Sequence, residues 1–182
     1  MKTKDLVYIA MYVALAVVLD VFKEMIPFIN MPKGGSLNIP LIPVVIASFH
    51  LGWKKGLFVS FLWWLITFML GYNNWFLNPV QYLLDYLVPY MALSFASIFY
   101  KNHSLFRMEL GVILMMLVNI LSVVISGVYF WAEGMAAGSM AAWIFSLQYN
   151  LTYSLPTLIM LVVLTPISIK LLRIDDVKMK NF

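Results

Sequence analysis

Residues 79–90 read PVQYLLDYLVPY, and the apolar run continues through MALSFASIFY to Tyr100 with Asp85 as its only charged side chain. A helix crossing a bilayer core needs about 20 predominantly apolar residues, and this stretch supplies that length. An ionised carboxylate inside such a span carries a desolvation cost that some partner must offset. The stretch therefore predicts a membrane helix and marks one residue within it as a candidate for function.

The rest of the chain agrees. Its 182 residues are 63% hydrophobic and 11% charged. Long uncharged runs follow one another with almost no polar face, which excludes a soluble domain hiding its apolar surface in one core. Six spans are predicted, at about 5–29, 37–53, 56–72, 79–100, 108–131 and 140–173. The second and third are short and joined by a tight turn at 52–56. The last exceeds a bilayer's needs, so its start is read as a loop or a tilted, partly exposed helix end. Short connections leave no room for an appended domain. The predicted fold is an all-α integral membrane protein, a compact bundle of six transmembrane helices forming a single domain over residues 1–182.

The charges orient the bundle. With six spans, Lys2, Lys4, Lys54, Lys55, Lys101, Arg107, Lys170, Arg173, Lys178 and Lys180 fall on one side, and only Lys23 and Lys33 on the other. Ten against two is a strong positive-inside bias, so both termini are predicted to be cytoplasmic in a multi-pass protein of the bacterial cytoplasmic membrane. The net charge of +4 then reports topology and contact with anionic lipid rather than nucleic acid. The outer face receives the loops at 30–36, 72–78 and 131–140, rich in Gly, Asn and Trp. No cleavable leader is expected, because residues 30–36 lack a small-residue cleavage site.

Within the spans, Asp85 has Gln81 one helical turn before it, with Tyr82 and Tyr86 on adjacent faces. No Lys or Arg lies at its depth in another span, which favours a diffusible cation as partner. The alternative is a carboxylate held by neighbours for packing alone. Asp20 falls near the outer end of the first helix, within reach of Lys23, and reads as interfacial and structural. Asn119, Ser122 and Ser126 share a face of the fifth span. Ser146, Gln148, Tyr149, Asn150 and Tyr153 cluster on the sixth. Small hydroxylated residues commonly serve helix packing in membranes, whereas Asn119 and Asn150 fit either packing or a pocket. By the predicted topology Asp85, Trp131 and Asn150 converge in the outer half of the bundle. With Trp75 nearby, a carboxylate among aromatic faces suits a flat cationic ligand.

The catalytic readings fare worse. There is no cysteine, hence no disulfide or thiolate chemistry. No HExxH, P-loop or GxSxG motif occurs, and no second carboxylate accompanies Asp85. His50 and His103 lie toward the cytoplasmic side and read as incidental. No metal, no cofactor and no enzymatic activity are expected. Ala10 and Ala14, one turn apart on the first helix, allow close approach of another helix, in this bundle or in a partner.

Several short motifs occur in order along nearly the whole chain: AMYVA at 10–14, MPKGGSLNI at 31–39, NPVQYLLDYLVPY at 78–90, SGVYFW at 126–131 and FSLQYNLTYSLP at 145–156. Together they resemble the thiamine-specific S components of energy-coupling factor (ECF) transporters. The resemblance implies a membrane subunit that binds its vitamin on the outer face. It also implies docking, through Ala10 and Ala14, on an ECF module of one transmembrane coupling subunit and two ATPases, and toppling to deliver the substrate inward. The family's pyrimidine-binding acid falls on Asp85 with Tyr86 beside it, its thiazolium-facing tryptophan on Trp131, its helix-six asparagine on Asn150, and an outer aromatic on Trp75. The lid falls on residues 34–38, ending at Asn38. Three positions depart: Val123 stands where the family has a histidine, Asn119 where it has a basic residue, and Phe145 where it has a tyrosine. The resemblance then argues against phosphorylated thiamine and leaves room for a related ligand such as pyridoxine or a pyrimidine or thiazole precursor. The candidate binding set is Asp85, Tyr86, Trp131, Asn150, Trp75, Asn119, Asn38, Tyr82, Phe145 and Tyr149.

Overall fold

The computed structural model describes residues 2–26, 30–31, 35–72, 75–100 and 104–172. Six helices account for most of them: α1 (Thr3–Glu24), α2 (Leu41–Leu51), α3 (Trp53–Met69), α4 (79–98), α5 (Leu105–Trp131) and α6 (Met140–Leu171). By length and apolar composition, α1, α5 and α6 can each cross a membrane. The fourth span is not one regular helix. It runs through α-helical Pro79–Tyr82, a π-helical turn Leu83–Leu87, α-helical Val88–Ala92 and a 3-10 segment Leu93–Ile98.

The π-helical turn of α4 lies just before Pro89, which cannot donate a backbone hydrogen bond to the turn preceding it. In a membrane the carbonyls of an interrupted helix need other donors, and the neighbouring helices supply them at three positions. Ser122 Oγ donates to the Leu84 carbonyl at 2.7 Å and Asn119 Nδ2 to the Pro89 carbonyl at 2.9 Å. Ser60 Oγ donates to the Tyr90 carbonyl at 3.1 Å. The polar stripe of α5 thus compensates a broken helix on α4.

α2 sits at the centre, against α1, α3, α4 and α6, and eight of its eleven residues are buried. At about 16 Å it is too short to cross a bilayer core alone. Surrounding protein permits the irregular segment 35–40 that precedes it. Gly52, at φ 88°, is the single residue between α2 and α3, so the predicted turn at 52–56 contracts to that glycine. α6 begins directly at Met140, capped by the Ser139 hydroxyl. Its start is a helix end and not a loop, and its 32 residues extend about 48 Å.

Asp20 departs from expectation. Its carboxylate does pair with Lys23, at 2.8 Å, but the pair is buried: Asp20 is 2% exposed and Lys23 6%. The cause is α3, whose Trp63 Nε1 donates to Asp20 Oδ2 at 3.0 Å and covers it. His50 is bound as well, its Nδ1 2.9 Å from the Tyr12 hydroxyl with the Tyr8 ring against it. Ala10 and Ala14 are both exposed, so they do not pack inside this bundle. Lys33, Lys101, His103, Arg173, Lys178 and Lys180 lie outside the described residues.

Candidate functional site

A cavity of about 890 Å³, counting its open mouth, lies between α4, α5, α6 and the segment that leads into α2. Asp85 forms part of its wall and occupies the π-helical turn of α4. Its Oδ2 accepts hydrogen bonds from Gln81 Nε2 at 2.5 Å and from Trp131 Nε1 at 2.8 Å. Trp131 itself ends a second π-helical turn, Gly127–Trp131, at the end of α5. Each π turn carries one residue more per turn than an α-helix and rotates the side chains that follow. Here the two turns bring a carboxylate and an indole N–H from different helices into contact. Among the described residues, no Lys or Arg forms an ion pair with Asp85.

Gln81 is fully buried and holds this arrangement together. Besides Asp85, its Nε2 donates to the Trp75 carbonyl at 3.0 Å, and its Oε1 accepts from the Leu77 N–H at 2.9 Å. Asn78 caps the helix start by accepting from the Gln81 N–H at 2.9 Å. One amide thereby fixes both the carboxylate and the loop carrying Trp75. The Trp75 ring meets Trp131 edge-on, with centroids 6.1 Å apart, where it borders the cavity. Tyr86 and Tyr90 continue the wall along α4.

The opposite wall is α6 with residues 35–38 pressed against it. The Gly35 N–H donates to the Tyr149 hydroxyl at 3.0 Å, and the Asn38 N–H to Thr157 Oγ1 at 3.1 Å. Gly35 is required there: a Cβ would stand 2.7 Å from Tyr153 and 2.9 Å from the Tyr149 hydroxyl. Asn150 reaches the cavity with its polar atoms engaged. Its Nδ2 donates to the Ser146 carbonyl at 2.9 Å, and its Oδ1 accepts from the Tyr153 hydroxyl. Asn38 Oδ1 and Ser154 Oγ, also on cavity-lining residues, are buried without a hydrogen-bond partner among the described residues. An oxygen left in that state costs about 1–3 kcal/mol, which a ligand group or water would relieve.

Asp85, Tyr86, Trp131, Asn150, Trp75, Asn119, Asn38, Phe145 and Tyr149 all line this one cavity. Tyr82 does not. It lies behind the wall, 7% exposed, packed against Tyr86 at 4.7 Å and against Trp64, Phe68 and Phe76. Of the two tyrosines placed on faces adjacent to Asp85, Tyr86 lines the cavity and Tyr82 stands behind it. Residue 34, at the start of the anticipated lid, is outside the described residues. Tyr90, Ser154 and Thr157 line the cavity without having been singled out. The spacing Asn150, Ser154, Thr157 on one helix face was the available signal. Among the described residues, no group of three or more His, Asp or Glu could hold a metal ion.

Comparison with known proteins gives concordant matches. A family model described as thiamine transporter protein matches residues 6–175. The thiamine transporter ThiT of Bacillus subtilis is 34% identical over 165 residues, 85% of this chain and 84% of that protein. The pantothenic acid transporter PanT of Lactococcus lactis is 35% identical over 69 residues, 37% of this chain and 34% of that protein. A solved structure of ThiT from Listeria monocytogenes shares the fold with a TM-score of 0.71 at 22% identity, covering 91% of this chain and 93% of that one.

Proposed function

The chain belongs to the thiamine transporter protein family, and from that premise we propose that it is the substrate-capturing S component of an ECF transporter and that thiamine is its ligand. It is a multi-pass protein of the cell membrane, and its relatives are named as transporters, not enzymes. The observation that carries the ligand is Asp85: a carboxylate in an aromatic cavity, held on one oxygen by Gln81 and Trp131, with no cationic side chain paired to it among the described residues. A protonated aminopyrimidine supplies the missing charge, and the surrounding aromatic side chains supply faces for stacking and cation–π contact. The nine lining residues anticipated from the sequence are the proposed binding set, with Gln81 positioning Asp85. No described lining residue is Lys, Arg or His, which favours free thiamine over its phosphate esters.

Delivery requires partners that this chain does not contain. The positive-inside charge count supports cytoplasmic termini and an outward-facing cavity. The exposed Ala10 and Ala14, flanked by exposed Met11, Leu15 and Val18, offer a close-approach strip on α1 for the coupling subunit of an ECF module.

Tryptophan-fluorescence titration of the purified protein tests the ligand directly. Saturable quenching by thiamine, weaker for its monophosphate, is expected; silence with thiamine and a response to pyridoxine would overturn the reading. Leucine at Ala10 and Ala14 together is expected to abolish thiamine uptake by cells while leaving binding by the purified protein unchanged. Loss of binding as well would return those alanines to internal packing.

A further inference from the structure

The buried ion pair of α1 has no place in the site described so far, and α1 contributes no residue to the cavity wall. Yet a continuous set of contacts leads from one to the other. Asp20 Oδ1 is 2.8 Å from Lys23 Nζ, and its Oδ2 accepts from Trp63 Nε1 at 3.0 Å. The Trp63 indole, fully buried, stacks on the Tyr90 ring with centroids 4.5 Å apart and planes 29° from parallel. Tyr90 lines the cavity and is 8% exposed. Its backbone is held too, since its carbonyl accepts from Ser60, whose hydroxyl also bonds Ser94 at 2.8 Å.

Ionisable groups buried within membrane helices are costly and tend to mark function. Packing alone does not require an ion pair here, because apolar side chains of similar volume would fill the space at no greater cost. What the pair provides is a directional acceptor. Asp20 Oδ2 fixes the rotation of the Trp63 indole, and the flat face of that indole fixes the plane of Tyr90. Lys23 Nζ pairs with the other oxygen of the same carboxylate at 2.8 Å, so the acceptor of the indole N–H belongs to an ion pair. α4 is interrupted on both sides of Tyr90, by the π turn Leu83–Leu87 and the 3-10 segment Leu93–Ile98. A helix broken in this way does not hold a large ring in one orientation without support from behind.

We propose that Asp20, with Lys23 as its counter-ion, is a positioning residue for the ligand site, acting through Trp63 on Tyr90. The consequence for thiamine affinity rests on the function proposed above; the effect on α4 does not. Two measurements on the full chain separate them. Calorimetric titration with thiamine should show Trp63→Phe, which removes only the N–H donor and part of the ring, binding about 5- to 20-fold more weakly, at or below the lower end of one lost charge-assisted hydrogen bond because the effect reaches the ligand indirectly. In a Tyr90→Leu background the same change should cost less than about 2-fold, because the group it positions is gone. Hydrogen exchange on the ligand-free protein should rise over residues 86–93 in Trp63→Phe and in Asp20→Ala while staying unchanged in α6. Should Asp20→Ala not fold, Trp63→Phe carries the same test. Unaltered exchange over 86–93 would overturn the proposal. So would a thiamine loss of equal size with and without Tyr90, which marks a general packing defect. If the wild-type chain fails to bind thiamine, the functional reading falls, and exchange alone decides the positioning role.

Discussion

The two walls of the cavity are held by different means. On the α4–α5 side, the amide of Gln81 and the indole of Trp131 are side chains on helices, each donating to the carboxylate of Asp85, at 2.5 and 2.8 Å. On the α6 side, an irregular segment is held by two backbone N–H groups, those of Gly35 and Asn38, donating to Tyr149 and Thr157. The first wall is preorganised, so a ligand cation meets a charge already oriented for it. The second is a seam where, among the described residues, Asn38 Oδ1 has no hydrogen-bond partner. A site built in this way fixes one end of the ligand and lets the other side yield. Affinity is then expected to depend on the α4–α5 wall and residence time on the seam.

Replacements on each wall test that division. The largest effect is expected from Asp85→Asn, which keeps the shape and the acceptor for Trp131 but removes the charge. Thiamine binding should weaken by about 2–4 kcal/mol with little change in the melting temperature of the ligand-free protein. An unchanged dissociation constant in calorimetry would remove Asp85 from the site. Gly35→Ala should cost about 1–2 kcal/mol, because its methyl group collides with Tyr153 and Tyr149 and lifts the segment. The loss should appear in the dissociation rate by stopped-flow fluorescence, and a slowed association with unaltered dissociation would contradict the seam. The smallest effect is expected from Thr157→Val, which removes the acceptor of the Asn38 N–H at nearly constant volume. It should speed dissociation about 3- to 5-fold, close to 1 kcal/mol. If Thr157→Val weakened binding as much as Asp85→Asn, the two walls would not differ in kind.

Much of the fold was legible because a bilayer imposes length and hydrophobicity on every crossing element. The six helices fall close to the predicted spans, apart from α2, which is shorter. The site was legible to the extent that a charge in an apolar run stands out, as Asp85 does, and that large polar or aromatic side chains near it are few. Tyr82 stands outside the cavity wall on α4, whose period changes at Leu83 and again at Leu93. Thr157 lies on the regular α6 and was passed over because a small hydroxyl in a membrane helix reads as helix packing.

By itself, then, the amino-acid sequence determined that this protein lives in a membrane as a helical bundle, and that one carboxylate inside it needs a partner. Desolvation and the thickness of a lipid core act on residues one span at a time, so a linear reading captures them. The tertiary structure alone decided what meets Asp85. Two π-helical turns on separate helices, one set beside Pro89 and the other ending in Trp131, join the carboxylate to an indole N–H. Another carboxylate, the buried Asp20, backs the site through Trp63 from a helix that never reaches the cavity. Those contacts depend on how packed helices rotate against one another, and that rotation is set by neighbours far apart in the chain.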